Sequence, residues 1–348
     1  MPYIVLKSGM EIFDLAMAYG IGVILHLATE ILELEEEVKI ENFGSGWKIY
    51  GPEKLTKGDW KEIFKKAEWQ GIFNEESSFA WQRVFFTKKQ KWRDDVKKVE
   101  KALEGTIPEI HSAEPIVAEV GSKGETIPGP LEPTGFKGAR SKTRSPSAGN
   151  IKVDLKSWAL ACLGGACAIH FAWLADGTSG IIFDPEVLYI DQIEFLQNLF
   201  KEECRLKYPS DLVAVIDSSL ALIQALIKRK TGENRFYSAY FSTLKHTGQQ
   251  SKPGGGGKFD LEILNKIWED NPQVADELFG MWRHLIRQGT PRGNEDLALS
   301  LAEFIASFSL SAWDHHSRVL LRYILHKKIK QKNQYQEEQI KEVMRYVH

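Results

Sequence analysis

Apolar positions recur at intervals of three and four from Met10 to Leu34 (MEIFDLAMAYGIGVILHLATEILEL), with Asp14, Glu30 and Glu33 filling other places. That spacing predicts a helix with a broad apolar face. Gly20 and Gly22 lower helix propensity in its middle. They also allow close backbone approach, so a packing partner is expected on that face. His26 lies on the apolar run with no residue at ligand spacing, and reads as a core histidine.

The period then changes. Residues 38–52 (VKIENFGSGWKIYGP) hold two short β-rich runs around Gly44-Ser45-Gly46, a hairpin signal. Helical spacing returns in LTKGDWKEIFKKAEWQGIF, behind a capping threonine, and again over 76–103. The second half of 76–103 carries seven cations. It reads as a solvated face with pairs such as Asp94–Lys98, set against a phosphate-binding face. Trp81, Phe85, Phe86 and Trp92 read as core positions there. From 104 to 150 no periodicity is sustained, and prolines and glycines crowd the span. A structureless stretch of that length is either a linker or a functional arm.

Order resumes with an apolar helix over 154–175, then a strand-like run, GIIFDPEVLYI, closed by Asp184-Pro185. Helices are expected at 191–207 and 210–230, and a strand at 235–246 (RFYSAYFSTLKH). Residues 247–260 (TGQQSKPGGGGKFD) read as a second mobile loop. From Leu261 onward about four helical segments, broken at Asn271-Pro272, at 289–293 and near Lys332, predict a small bundle. The predicted class is α+β and mostly helical. An α/β region spans 1–258, with a flexible Pro/Gly-rich insertion at 104–150, and a C-terminal bundle spans 259–348. No internal repeat is evident.

Composition changes this picture little. The 348 residues allow one large or two moderate domains, and the net charge is -2. No whole-protein field draws in nucleic acid, so any such binding falls to local patches. Cys162, Cys167 and Cys204 are too few for a disulfide framework and point to a reducing, cytoplasmic interior. No second Cys/His pair accompanies them, so no zinc site is read there. The N-terminus lacks a signal-peptide layout. Residues 158–175 just reach membrane-span length, but Gly164-Gly165 and His170 favour a buried core helix.

Candidate chemistry is sparse. PGGGGKFD lacks the hydroxyl residue of a phosphate loop, and Ser45 belongs to a turn rather than a nucleophile elbow. Asp314, His315 and His316 form the one cluster with catalytic composition, but neighbouring helical residues point in different directions. Local cationic patches stand out instead. Residues 134–150 (TGFKGARSKTRSPSAGN) contain Lys137, Arg140, Lys142 and Arg144 and no acid. Lys245, His246, Lys252 and Lys258 bracket the glycine run, and Arg318 and Arg322 lie one turn apart. Such groups on Gly-rich segments suit contact with a phosphate backbone.

AMAYGIGVILHLA followed by VKIENFGSGWKIYGP, RFYSAYFSTLKHTGQQ before a glycine-rich loop, and the helical C-terminal region together resemble one family. It is the large subunit of archaeal type I-A CRISPR interference (Cascade) complexes. The resemblance implies a subunit that does not cut and needs no cofactor. Such a subunit sits at the guide RNA's 5′ handle beside other interference subunits. It reads the motif flanking a double-stranded DNA target (the PAM) and helps part the duplex, before a helicase–nuclease takes the displaced strand. On that basis Lys137, Arg140, Lys142 and Arg144 are expected on phosphates or base edges, with arginine suited to guanine. Lys245, His246, Lys252 and Lys258 would line the path of the opened strands. Two alternatives stand beside this reading. One is a metal-dependent phosphohydrolase using Asp314, His315 and His316 with a partner such as Asp217. The other is a structural adaptor that docks through 158–175 and the bundle.

Overall fold

The computed structural model describes residues 1–53, 55–67, 91–110, 114–131, 151–193, 196, 199, 206–229, 234–247, 250–290, 293–326, 335 and 337–348. The fold is α+β and mostly helical. In chain order it runs β1 (Tyr3–Leu6), α1 (Glu11–Ile31), β2 (Lys39–Asn42), β3 (Gly46–Tyr50), α2 (Lys57–Lys66) and α3 (Lys91–Thr106). Then come β4 (Pro115–Ile116), β5 (Val120–Thr126), β6 (Lys152–Val153), α4 (Leu155–Ala168), β7 (His170–Leu174), β8 (Gly177–Tyr189), β9 (Lys207–Tyr208) and α5 (Asp211–Arg229). The chain continues through β10 (Arg235–Thr247) and β11 (Gln250–Asp260). It ends in α6 (Glu262–Asp270), α7 (Pro272–Gly289), α8 (Glu295–Ser307), α9 (Leu310–Leu325) and α10 (Glu337–Met344).

The expected first helix, hairpin and strand at 235–246 are all present. The main sheet has the order β11-β10-β8-β2-β3-β1-β4, with β7 also on β8 and β9 on β7. β8 is its beam. It pairs with β10 along one side, and along the other with β7 near its start and β2 near its end.

α1 is buried on nearly every face from Ile12 to Leu25. It has the length and composition of a membrane span, but most of that window is buried inside the protein. Its first turn is tied down by Asp14, whose carboxylate accepts from Ser8 N (2.7 Å), Ser8 Oγ (2.7 Å) and Met10 N (3.2 Å). α4 crosses it at backbone distance, through Gly20 and Gly164. A Cβ on Gly20 would stand 2.1 Å from the Leu160 carbonyl oxygen, and one on Gly164 1.8 Å from that of Ala16. Short Ala, Gly and Cys side chains on α4 make that approach possible.

α2 begins where a capping residue was expected. Thr56 Oγ1 accepts from Asp59 N, and the Asp59 carboxylate accepts from Thr56 N, a reciprocal box. Thr56→Ala is expected to lower stability by about 1 kcal/mol in chemical denaturation. An unchanged midpoint would show that the box adds nothing.

Several expectations need correction. The helix expected over 154–175 stops at Ala168, and His170–Leu174 pair with β8 as a strand. A continuous apolar run does not separate helix from buried strand by periodicity. Asp184-Pro185 does not close the strand-like run, because β8 continues to Tyr189. Residues 250–260 are not a loop but β11, antiparallel to β10. Glycine and proline are tolerated there because β11 is an edge strand among those described. The 104–150 span holds the end of α3 together with β4 and β5, and β5 pairs with β6. Lys98 pairs with Glu125 (2.5 Å) rather than with Asp94.

The bundle contains α6 to α10, and α5 docks against it. Asp217, 1% exposed, accepts from Arg283 Nε (3.3 Å) and Tyr208 OH (2.6 Å), while Gln224 Nε2 donates to the Asp276 carboxylate (2.9 Å). A continuous core thus runs from the sheet into the bundle.

Candidate nucleic-acid interface

Pro185 lies beside a cleft at the β8–β10 pairing. It has no N–H to give the ladder, and the β8–β10 register slips opposite it, between Arg235 and Ser238. The slip leaves Tyr237 without a register partner, and its side chain is 44% exposed. On the other flank of β8, the β2–β3 hairpin turns at Gly44, whose φ of +90° favours glycine. Asn42 Oδ1 accepts from Gly44 N (2.7 Å), and Phe43 is carried outward at the tip.

The cleft between these features has a volume of about 620 Å³ and includes Lys7, Phe43, Asp184, Tyr237, Tyr240 and Lys258 in its lining. Asp184 is 3% exposed. Its Oδ1 accepts from Trp47 Nε1 (2.7 Å) and Asn42 Nδ2 (2.9 Å). Burial raises its pKa, opposed by these two bonds and by the charges of Lys7 and Lys258. Burial, with Asp184 and other acids nearby, pushes the Tyr240 hydroxyl up to about 12, so it stays protonated. Lys7 Nζ donates to the Gly44 carbonyl (2.8 Å) and lies 5.0 Å from the Trp47 ring centre. Across the opening, Arg235 pairs with Glu269 (3.0 Å) and Lys266 with Glu262 (2.6 Å).

Of the sequence-predicted residues, Lys258 lies in this cleft. Lys245 is exposed, pairs with Asp176 (3.2 Å), and stands opposite Lys252 in the β10–β11 register. His246 stands opposite Ser251. Arg318 and Arg322 are exposed on α9, outside the cleft, and Arg318 is paired with Asp314. Lys137, Arg140, Lys142 and Arg144 lie outside the described residues, as do Trp81, Phe85, Phe86 and Cys204. Sequence reasoning missed Lys7, Phe43, Asp184, Arg235, Tyr237 and Lys266. An aromatic at a hairpin tip and a lone acid inside an apolar strand were the available signals.

The Asp314-His315-His316 cluster does not converge. Asp314 and His315 are exposed, whereas His316 is fully buried against Phe304, Trp313 and Tyr335. Asp217 is engaged by Tyr208 and Arg283. Among the described residues, no group of three His, Cys, Asp or Glu is placed to hold a metal ion.

No family model matches the chain. An uncharacterized protein of the archaeon Archaeoglobus fulgidus is 26% identical to it over 361 aligned residues, covering 99% of this chain and 98% of that one.

Proposed function

We propose that this protein is the non-catalytic large subunit of an RNA-guided DNA interference complex of the archaeal type I-A CRISPR kind. It recognises the target-flanking motif and helps open the duplex, working in the cytoplasm with guide RNA, other interference subunits and a helicase–nuclease. The observation that carries this reading is the β10–β11 arm. It places Lys245, Lys252 and Lys258 around four consecutive glycines at a sheet edge, on a chain with net charge -2. A bare backbone edge set with cations can approach phosphates closely without a basic scaffold. The archaeal source of the relative accords with it.

The test is reconstitution with guide RNA and the partner subunits. Target-duplex binding is expected to weaken about tenfold near 0.15 M salt in a Lys245→Glu/Lys258→Glu double variant, with a shallower dependence on log salt. Failure of the chain to assemble with a guide-RNA complex would sink the reading. Unchanged affinity and salt slope would remove the arm from it.

The adaptor alternative keeps one specific observation. Leu321 (54% exposed) and Leu325 (72%) form an outward stripe on α9 beside Arg318 and Arg322. The phosphohydrolase alternative has no converging ligand set behind it among the described residues.

A further inference from the structure

One carboxylate oxygen in the cleft has no donor among the described residues. Asp184 is almost wholly buried and lines the cleft. Its Oδ1 takes both available donors, Trp47 Nε1 and Asn42 Nδ2. For its Oδ2 no donor is seen among the described residues. A buried carboxylate oxygen left this way is costly unless something donates to it.

Three other features narrow the donor. Phe43 and Tyr237 are 39% and 44% exposed, Phe43 in the β2–β3 turn with Lys48 Nζ 5.4 Å from its ring centre, and Tyr237 on β10. Large aromatic faces held open to solvent suit stacking of a flat ring. Lys7 and Lys258 line the cleft and could meet an anionic group; Arg235 and Lys266 line it too, but are paired there with Glu269 and Glu262, and Glu186 and Asp260 add further negative charge. The volume of about 620 Å³ falls within the range of small-ligand sites.

The geometry points to a single unstacked nucleotide as the ligand. Its base bears an exocyclic amino group that donates to Asp184 Oδ2. Its ring lies against Phe43 and Tyr237, and its phosphate meets Lys7 and Lys258. A carboxylate oxygen accepts from the amino group of cytosine or adenine and repels the carbonyl that thymine carries in that place. This inference rests on the nucleic-acid reading and deepens it. It gives a chain that tracks backbones through its arm a second place, where one base is inspected directly.

The test uses the full chain and labelled hexamers dA6, dC6 and dT6, read by fluorescence anisotropy at one fixed salt concentration. dA6 or dC6 is expected to bind at least tenfold more tightly than dT6. Tyr237→Ala, at an exposed position, is expected to weaken the preferred hexamer about tenfold, in line with the loss of one stacked base. Asp184→Asn is expected to abolish the preference while leaving salt-dependent binding. Because Asp184→Asn disturbs the Trp47 and Asn42 bonds, the Tyr237 variant is the fold-neutral control. Equal binding of all three hexamers overturns the inference, as does no binding to any of them, or a preference that survives both variants. The two readings fail separately. A base preference in a chain that joins no guide-RNA complex sinks only the interference reading. A complex that captures duplex normally, with no base preference in the chain, sinks only the cleft.

Discussion

Gly164→Val is expected to lower the stability of the protein by at least about 3 kcal/mol, and to bring its melting temperature down by about 4 °C or more. The first atom of any side chain at 164 would stand 1.8 Å from the Ala16 carbonyl oxygen and 2.4 Å from Gly20 N. Both obstacles are backbone, so no rotamer change relieves them. α1 and α4 would have to separate, and the core they share with Leu15, Met17 and Leu160 would open with them. Overpacking usually costs ~1–3 kcal/mol because side chains give way. Here nothing gives, so the upper end is a floor. Gly105→Ala serves as the contrast. Gly105 lies in α3, and an alanine methyl there would meet nothing within 4 Å. The substitution is expected to stabilise by about 0.5–1 kcal/mol through helix propensity. If thermal melts shift equally for the two variants, the close crossing of α1 and α4 is not what these glycines provide.

The second large effect is a pH dependence centred on His316. Its ring is fully buried, and burial, aided by His315, pushes its pKa down to about 3. The neutral ring is satisfied at both nitrogens. Trp282 Nε1 donates to Tyr335 OH (2.9 Å), which frees the tyrosine proton for His316 Nε2 (3.2 Å). Nδ1–H then faces Ser300 Oγ (3.3 Å), and that hydroxyl donates to the Leu297 carbonyl (3.2 Å). A second ring proton would point at an oxygen already receiving one.

In the unfolded chain the imidazole titrates near 6.5. Between pH 6.5 and about 3 the unfolded state therefore binds the extra proton and the folded state does not. The stability tied to His316 is complete above pH 6.5 and is lost as pH falls, by roughly 3 kcal/mol on reaching pH 4. Asp14 works the other way. Burial raises its pKa to about 6, so acid favours the folded state as pH falls from there toward 3.8. The stability difference between wild type and His316→Phe isolates the histidine, because the Asp14 contribution cancels. That difference, from urea denaturation, is expected to move by roughly 3 kcal/mol in favour of the variant from pH 7 to pH 4. Parallel curves would mean that His316 takes up its proton as readily in the folded protein as in the unfolded chain.

Elements whose period is unambiguous were legible in the chain. α1 follows from its three-and-four spacing, the β2–β3 hairpin from Gly44-Ser45-Gly46, and α7 from Asn271-Pro272, where the asparagine side chain caps Val274 N (3.3 Å). Where a local cue competed with long-range pairing, the pairing won. Ile169 to Leu174 are apolar enough for helix but find β8, and the glycines of β11 are held by the length of β10 beside them. The cleft was hidden for a related reason. Its floor, Asp184, and its walls, Phe43 and Tyr237, lie far apart in sequence and meet only through strand order. Cation counting found Lys258, and it passed over Lys7, Arg235 and Lys266 because each stands alone in the sequence.

A free sheet edge invites another chain to pair with it, and β11 is such an edge among the described strands. Its make-up resists that. Pro253 withholds a donor, the ladder bulges between Thr243 and Leu244 across from it, and Gly255 turns the backbone to a φ of +150°. Lys252 and Lys258 set like charge at both ends of the glycine run. An edge so interrupted is a poor template for cross-chain sheet growth. The glycine, proline and lysine composition of β11 thus keeps concentrated protein from stitching itself into aggregates.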